Sequence, residues 1–165
     1  MYDLKPISPD AIDAALERAM RYRLLNEPNE AESICRDILA VDAGHAGAIE
    51  LLLLSLTDMF DESARTTNEA RNLANSLGDE YQVAYYNGII SERRGKADLK
   101  KHSLGSGPAV YEWLSDAMDW FERAQGLSPK GNDDAILRWN TCARIIDRHE
   151  SVKPASDERV ESMLE

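Results

Sequence analysis

Four residues, Asn26-Glu27-Pro28-Asn29, constrain what this chain can fold into, because each side of them carries an apolar stripe at helical spacing. Before them, Ile12, Ala15, Leu16, Ala19, Tyr22 and Leu25 recur at three- and four-residue steps or nearly so. After them come Ala31, Ile34, Cys35, Ile38 and Leu39. That period marks one buried face per helix. Pro28 suits the first turn of the second helix, where a missing N–H breaks no helical bond. A connection this short lays two helices antiparallel and side by side. The unit is a helical hairpin, and the remainder of the chain repeats it with variations. The expected fold class is therefore all-α, with about seven helices.

Residues 1–8 read as an extended lead-in. Ser8-Pro9-Asp10 looks like a helix start, with Ser8 as N-cap and Pro9 at the first helical position. The first helix runs to about Leu25. The second ends near Asp42, where Gly44 supplies a stop. A third helix, about 47–59, is apolar over much of its circumference (Ile49, Leu51, Leu52, Leu53, Leu54, Leu56) and is expected to sit centrally. A fourth, about 61–77, is poorer, and its small residues suggest close approach to a neighbour. A fifth begins at Asp79 or Glu80 and runs toward Lys101. His102-Ser103-Leu104-Gly105-Ser106-Gly107-Pro108 reads as a flexible segment. A sixth helix, about 109–126, carries Val110, Trp113, Leu114, Ala117, Trp120, Phe121 and Ala124. The seventh starts near Asn132-Asp133-Asp134 and shows Ile136, Trp139, Ala143 and Ile146 on one face. Residues 150–165 read as a flexible tail.

Charge and cysteine usage narrow the function classes. The 165 residues carry 30 acids against 19 Lys and Arg, a formal net charge of −11, which disfavours a nucleic-acid partner. The strongest apolar run, Ile49 to Leu56, is far short of the ~20 residues a membrane span needs. The N-terminus lacks an apolar signal core. Cys35 and Cys142 lie on apolar helix faces with no Cys/His spacing of a zinc site, so they read as buried free thiols suited to a reducing cytoplasm.

An internal period supports a repeat architecture. Ala117, Phe121, Ala124 and Pro129 follow one another at steps of four, three and five. Ala31, Cys35, Ile38 and Ala43 stand at the same steps, preceded by Ala19 and Tyr22 three apart. This resembles the tetratricopeptide repeat, a helix-turn-helix of about 34 residues. Gly88 looks like the family's small first-helix residue in a third unit, with Ser91 where a Tyr belongs. The resemblance covers about residues 9–149. It implies a right-handed superhelix of hairpins, an insertion at about 95–109, and a seventh helix acting as cap.

The resemblance also implies a non-catalytic scaffold or adaptor, whose first helices line a concave groove for a peptide or helix of another protein. In that register the groove candidates are Asp13, Leu16, Met20 and Arg23, then Glu50, Leu54, Thr57 and Asp58, then Gln82, Tyr85, Ile89, Glu92 and Arg93, with Arg138 following. Leu16 and Met20 stand where the family's carboxylate clamp places its first Lys and Asn, which speaks against a chaperone-tail clamp. A second candidate is the basic stretch Arg93, Arg94, Lys96, Lys100, Lys101 and His102, a local reversal in an acidic chain. It reads either as helix-end cations favoured by the macrodipole or as a contact for an anion or acidic partner. No Gly-rich phosphate loop, GxSxG or HExxH is present. The three histidines read as exposed surface residues. No cofactor, metal or catalytic residue is expected. Self-association into a dimer through the Trp113/Trp120 side or the fourth helix is the structural alternative.

Overall fold

The computed structural model describes residues 2–60, 65–101 and 105–155. A 3-10 turn, Pro9–Ala11, leads into α1 (Ile12–Leu24) and α2 (Pro28–Val41), then α3 (Ala46–Asp58) and α4 (Arg65–Ser76). Next come α5 (Glu80–Lys100), α6 (Gly107–Leu127) and α7 (Asp134–Arg148). The described residues hold these seven α-helices and no strand. Each helix packs on the next, and α1, α3, α5 and α7 also touch one another in series. Arg36 on α2 reaches Glu69 on α4 at 2.8 Å, linking the helices that flank that series.

The helix ends follow from local chemistry. Asn26 closes α1 in the left-handed region, with φ 61°. Its N–H donates to the Arg23 carbonyl at 3.0 Å and that of Glu27 donates to Tyr22, also at 3.0 Å. These are the paired bonds of a Schellman stop, which Asn tolerates better than most residues. Ser8 does not cap by its side chain; Ala11 N–H donates to its carbonyl instead, and the chain enters α1 through the 3-10 turn. Asp79 caps α5, accepting from Gln82 N–H at 2.8 Å. At α7 the cap chemistry belongs to Asn132, whose Oδ1 accepts from Asp134 N–H at 3.1 Å.

Two histidines read as plain surface are half-buried and bonded. His45 is the N-cap of α3, its Nδ1 accepting from Ala48 N–H at 3.2 Å. His149 Nδ1 lies 2.8 Å from the Ile145 carbonyl. His102 lies outside the described residues, as do residues 61–64 of the expected fourth helix.

Two apolar clusters form the core. The first centres on α3, where Leu51, Leu52, Leu53 and Leu56 are buried against α1, α2 and α4. The second joins α5, α6 and α7 through Ala84, Ile89, Val110, Leu114, Phe121 and Cys142. Leu54 and Tyr86 touch both. Ala70 and Ala74 of α4 are fully buried, as expected for small residues at a close approach.

Of the expected insertion, 95–109, residues 95–100 and 107–109 are helical. They lengthen α5 and α6 to 21 residues each. Pro108, read as part of a flexible segment, occupies the first turn of α6, where proline is tolerated. Gly88 and Gly95, seven apart on α5, let α6 come close. A Cβ on Gly88 would stand 2.5 Å from Phe121 Cε1, and one on Gly95 would stand 3.2 Å from Leu114 and Trp113. The segment assigned to a flexible tail from residue 150 starts docked. Val152 is 2% exposed in the second cluster, and its N–H donates to the His149 carbonyl at 2.8 Å. A lone apolar residue has no period to reveal it. Residues 156–165 lie outside the described residues.

Ser91, the departure from the repeat pattern, has a polar role. It is fully buried and donates to Asp116 Oδ2 on α6 at 2.5 Å. Arg71 on α4 donates to Ser91 Oγ at 2.8 Å, to Asp116 Oδ2 at 3.1 Å and to Asn87 Oδ1 at 3.2 Å. Arg71 also lies 5.8 Å over the Trp113 ring, and Arg123 covers Trp120 at 5.6 Å. The tryptophan side offered for self-association is thus half-buried and overlaid by guanidinium groups.

Both cysteines are free and buried. Burial, the largest cause, pushes each thiol from 9.0 up to about 12. Native protein at pH 8 is expected to resist alkylation by iodoacetamide, with two thiols reacting after denaturation; mass spectrometry reads the count. The neutral thiol is favoured in the fold. Its stabilising contribution is therefore intact below pH 9 and is lost as pH rises from 9 toward about 12. Urea midpoints measured across that window check the sign.

Candidate functional site

Spacing puts one row of side chains on a single face of each odd-numbered helix. Leu16, Met20, Arg23 and Leu24 form the row on α1. Glu50, Leu54, Thr57 and Asp58 form it on α3. On α5 the row is Gln82, Tyr86, Arg93, Lys96 and Lys100, and α7 adds Arg138. The series contacts of these helices bring the rows together.

Asp58, at the end of α3, joins three helices. Arg23 Nε donates to its Oδ2 at 2.7 Å, and Arg93 Nη1 donates to its Oδ1. The same Arg93 nitrogen donates to Thr57 Oγ1 at 2.9 Å, and Thr57 donates to the Leu54 carbonyl at 2.7 Å. Arg93 is held below the usual arginine value. Burial is the main cause, opposed by Asp58 and reinforced by Arg23 and Arg138. A second link pairs α3 with α5: Glu50 accepts from Gln82 Nε2 at 2.7 Å and from Tyr86 Oη at 3.0 Å. Burial first, and then the Glu50 carboxylate, push the Tyr86 phenol upward.

Glu92 is fully buried and takes two cations. Lys96 Nζ donates to it from one helical turn on, and Arg138 Nη1 lies 3.2 Å from both its oxygens. Arg138 stays above its ordinary value although burial opposes the charge, because Glu92 and Tyr85 outweigh that cost. Tyr85 itself stacks on Tyr81 at 5.6 Å and is tilted against Phe121 at 6.0 Å.

Two hollows adjoin on this face. The apolar one, about 290 Å³, is lined by Leu16, Met20, Gly47, Leu51 and Leu54, with Glu50 at its edge. The basic one, about 520 Å³, is lined by Arg93, Lys96, Lys100, Asp58 and Thr57, with Asn26, Phe60 and Ala97 completing the wall. Arg23 and Leu24 belong to both and form the ridge between them. Met20 is 51% exposed and Leu24 82% exposed there.

The structure thus gathers Met20, Arg23, Glu50, Leu54, Asp58, Gln82 and Arg93 on one face, with Arg138 beyond Glu92. Ile89 departs from the expected groove set: it shares the helical row of Tyr86 and Arg93, but at 2% exposed it is covered, belongs to the second core cluster and lines neither hollow. Asp13 is exposed and lines neither hollow. The basic stretch divides. Lys96 and Lys100 line the basic hollow, and Lys101 is exposed outside that lining. Arg94 turns away to Asp98 at 2.7 Å and toward the Phe60 carbonyl at 3.4 Å. Leu24, Asn26 and Tyr86 escaped sequence reasoning. The step Met20–Leu24 carried a signal for the first of them. Among the described residues, no helix is long and apolar enough to cross a membrane. No family model, curated protein or solved structure matches the chain.

Proposed function

We propose that the chain is a tetratricopeptide-like scaffold that holds a segment of a partner protein, without catalysis, on the face shared by α1, α3 and α5. The observation that carries this reading is the pair of adjoining hollows. One offers apolar contact to Met20, Leu24 and Leu54, and the other offers cations on an otherwise acidic protein. An amphipathic segment with a bulky apolar residue close to an anionic one complements both. Serial contact among the odd helices supports the resemblance to hairpin repeats. Free buried thiols suit a cytoplasmic setting.

Random peptides displayed on phage and selected against the purified protein test the reading. Selected sequences are expected to pair an apolar anchor with nearby anions. Met20→Asp changes an exposed position and leaves the fold intact. It is expected to weaken those peptides by about ten- to a hundredfold, the equivalent of one buried apolar side chain. Equal binding to wild type and Met20→Asp, or no selected sequence, overturns the groove.

A further inference from the structure

We infer that the basic hollow is a binding site for a phosphoryl dianion. This deepens the scaffold reading by naming the group that a partner segment would present. The site is Arg23 from α1, with Arg93, Lys96 and Lys100 from α5, around the Asp58 carboxylate. Positions 93, 96 and 100 repeat at helical spacing, so α5 turns all three toward one hollow.

The charge count separates this site from ordinary helix-end chemistry. Among the described residues four cations face one carboxylate in the lining, and Glu92 behind it pairs with Lys96 and with Arg138, so five cations meet two carboxylates and the excess stays at three. The C-terminal ends of α1, α3 and α5 all bear on the hollow, through Arg23, Asp58 and Lys100. Each such end carries roughly half a negative charge, and together they offset about half of the excess. A residue of about one and a half positive charges remains. A carboxylate would leave part of it unmatched. A phosphoryl group, at about −1.5 to −2, matches it.

The donors have capacity to spare. The hydrogen bonds of Arg93 all leave from Nη1, and Lys100 is exposed with no ion pair among the described residues. Asp58 bridges the two arginines and holds them in place, so an arriving anion meets guanidinium groups already positioned. At about 520 Å³ the hollow has room for a phosphorylated side chain, whose neighbouring residue would reach the apolar groove across the Arg23/Leu24 ridge.

The test uses isotope-labelled full-length protein and inorganic pyrophosphate, phosphate and acetate at matched ionic strength. Pyrophosphate and phosphate are expected to shift the signals of Arg23, Arg93 and Lys100 saturably, with acetate about tenfold weaker or more. Lys100→Gln, an exposed change that leaves folding intact, is expected to cost about tenfold in phosphate affinity. Lys101→Gln, one residue along the chain and off the hollow, is expected to change it less than twofold. Equal response to acetate, equal loss in both lysine variants, or no saturable shift overturns the inference. The source of the group is read separately. A degenerate phosphoserine peptide library binding at least tenfold tighter than its unphosphorylated copy assigns it to a partner protein. Saturable phosphate binding without that gain assigns it to a free small phosphorylated ligand. Failure with phosphate alongside Met20-dependent binding of selected peptides leaves the scaffold standing and removes only the phosphoryl assignment.

Discussion

Gly88→Ala is expected to destabilise the protein by about 2 kcal/mol, although alanine is the better helix former by up to about 1 kcal/mol. The added methyl would meet the Phe121 ring at 2.5 to 3.0 Å. The ring is fully buried and braced by Tyr85, so it cannot swing aside. α5 and α6 must part locally, or the ring must leave its well. A fall of roughly 4–8 °C in Tm follows for a chain of this length, read by calorimetry or circular dichroism. Gly126→Ala is the control. That glycine also lies in a helix, and nothing stands within 4 Å of an added Cβ, so the same substitution is expected to be neutral or stabilising by up to about 1 kcal/mol. Adding Phe121→Leu to Gly88→Ala should recover part of the loss. If the two glycine variants melt alike, steric contact is not what keeps Gly88 small.

Glu92→Ala is expected to cost more, about 3 kcal/mol. Removing one partner from a buried ion pair typically costs 3–5 kcal/mol, roughly speaking, because the surviving charge is left uncompensated. Here both survivors keep access to water, Lys96 at 37% and Arg138 at 32% of side-chain exposure, which puts the loss at the lower end. Glu92→Met with Arg138→Met is expected to regain most of it, since a matched apolar pair avoids the desolvation cost. Urea denaturation of the two singles and the double measures the coupling. Strict additivity would mean that Glu92 acts by filling volume and not by charge.

The helices were readable in the sequence because each has one periodic apolar face. α3 read as central because its apolar residues run almost all round. The register implied by the repeat resemblance set Arg23, Asp58 and Arg93 on three successive odd-numbered helices, and the ion pairs of Asp58 join those three. Pairing across helices was not readable. Ser91 and Arg71 are polar residues whose significance lies in meeting Asp116 across a helix interface, 25 and 45 positions away. Ile89 stands in the same helical row as Tyr86 and Arg93 yet is buried, and one-dimensional period cannot tell a covered position from an open one. The lysines at 100 and 101 are equivalent as text, and only the turn of α5 separates them.

The long α5 gives the molecule an uneven outline of charge. Its 21 residues span about 30 Å, against about 20 Å for the 13 of α3 beside it. The extra turns carry Lys96 and Lys100, with Lys101 at the C-cap, while the chain as a whole is at −11. A basic patch on an acidic chain sets up a local field of opposite sign. A negatively charged visitor is turned away by most of the surface and drawn to one end, so it is oriented before first contact. Encounter rates for such a visitor should therefore fall as salt shortens the reach of that field, well before the bound state itself is weakened.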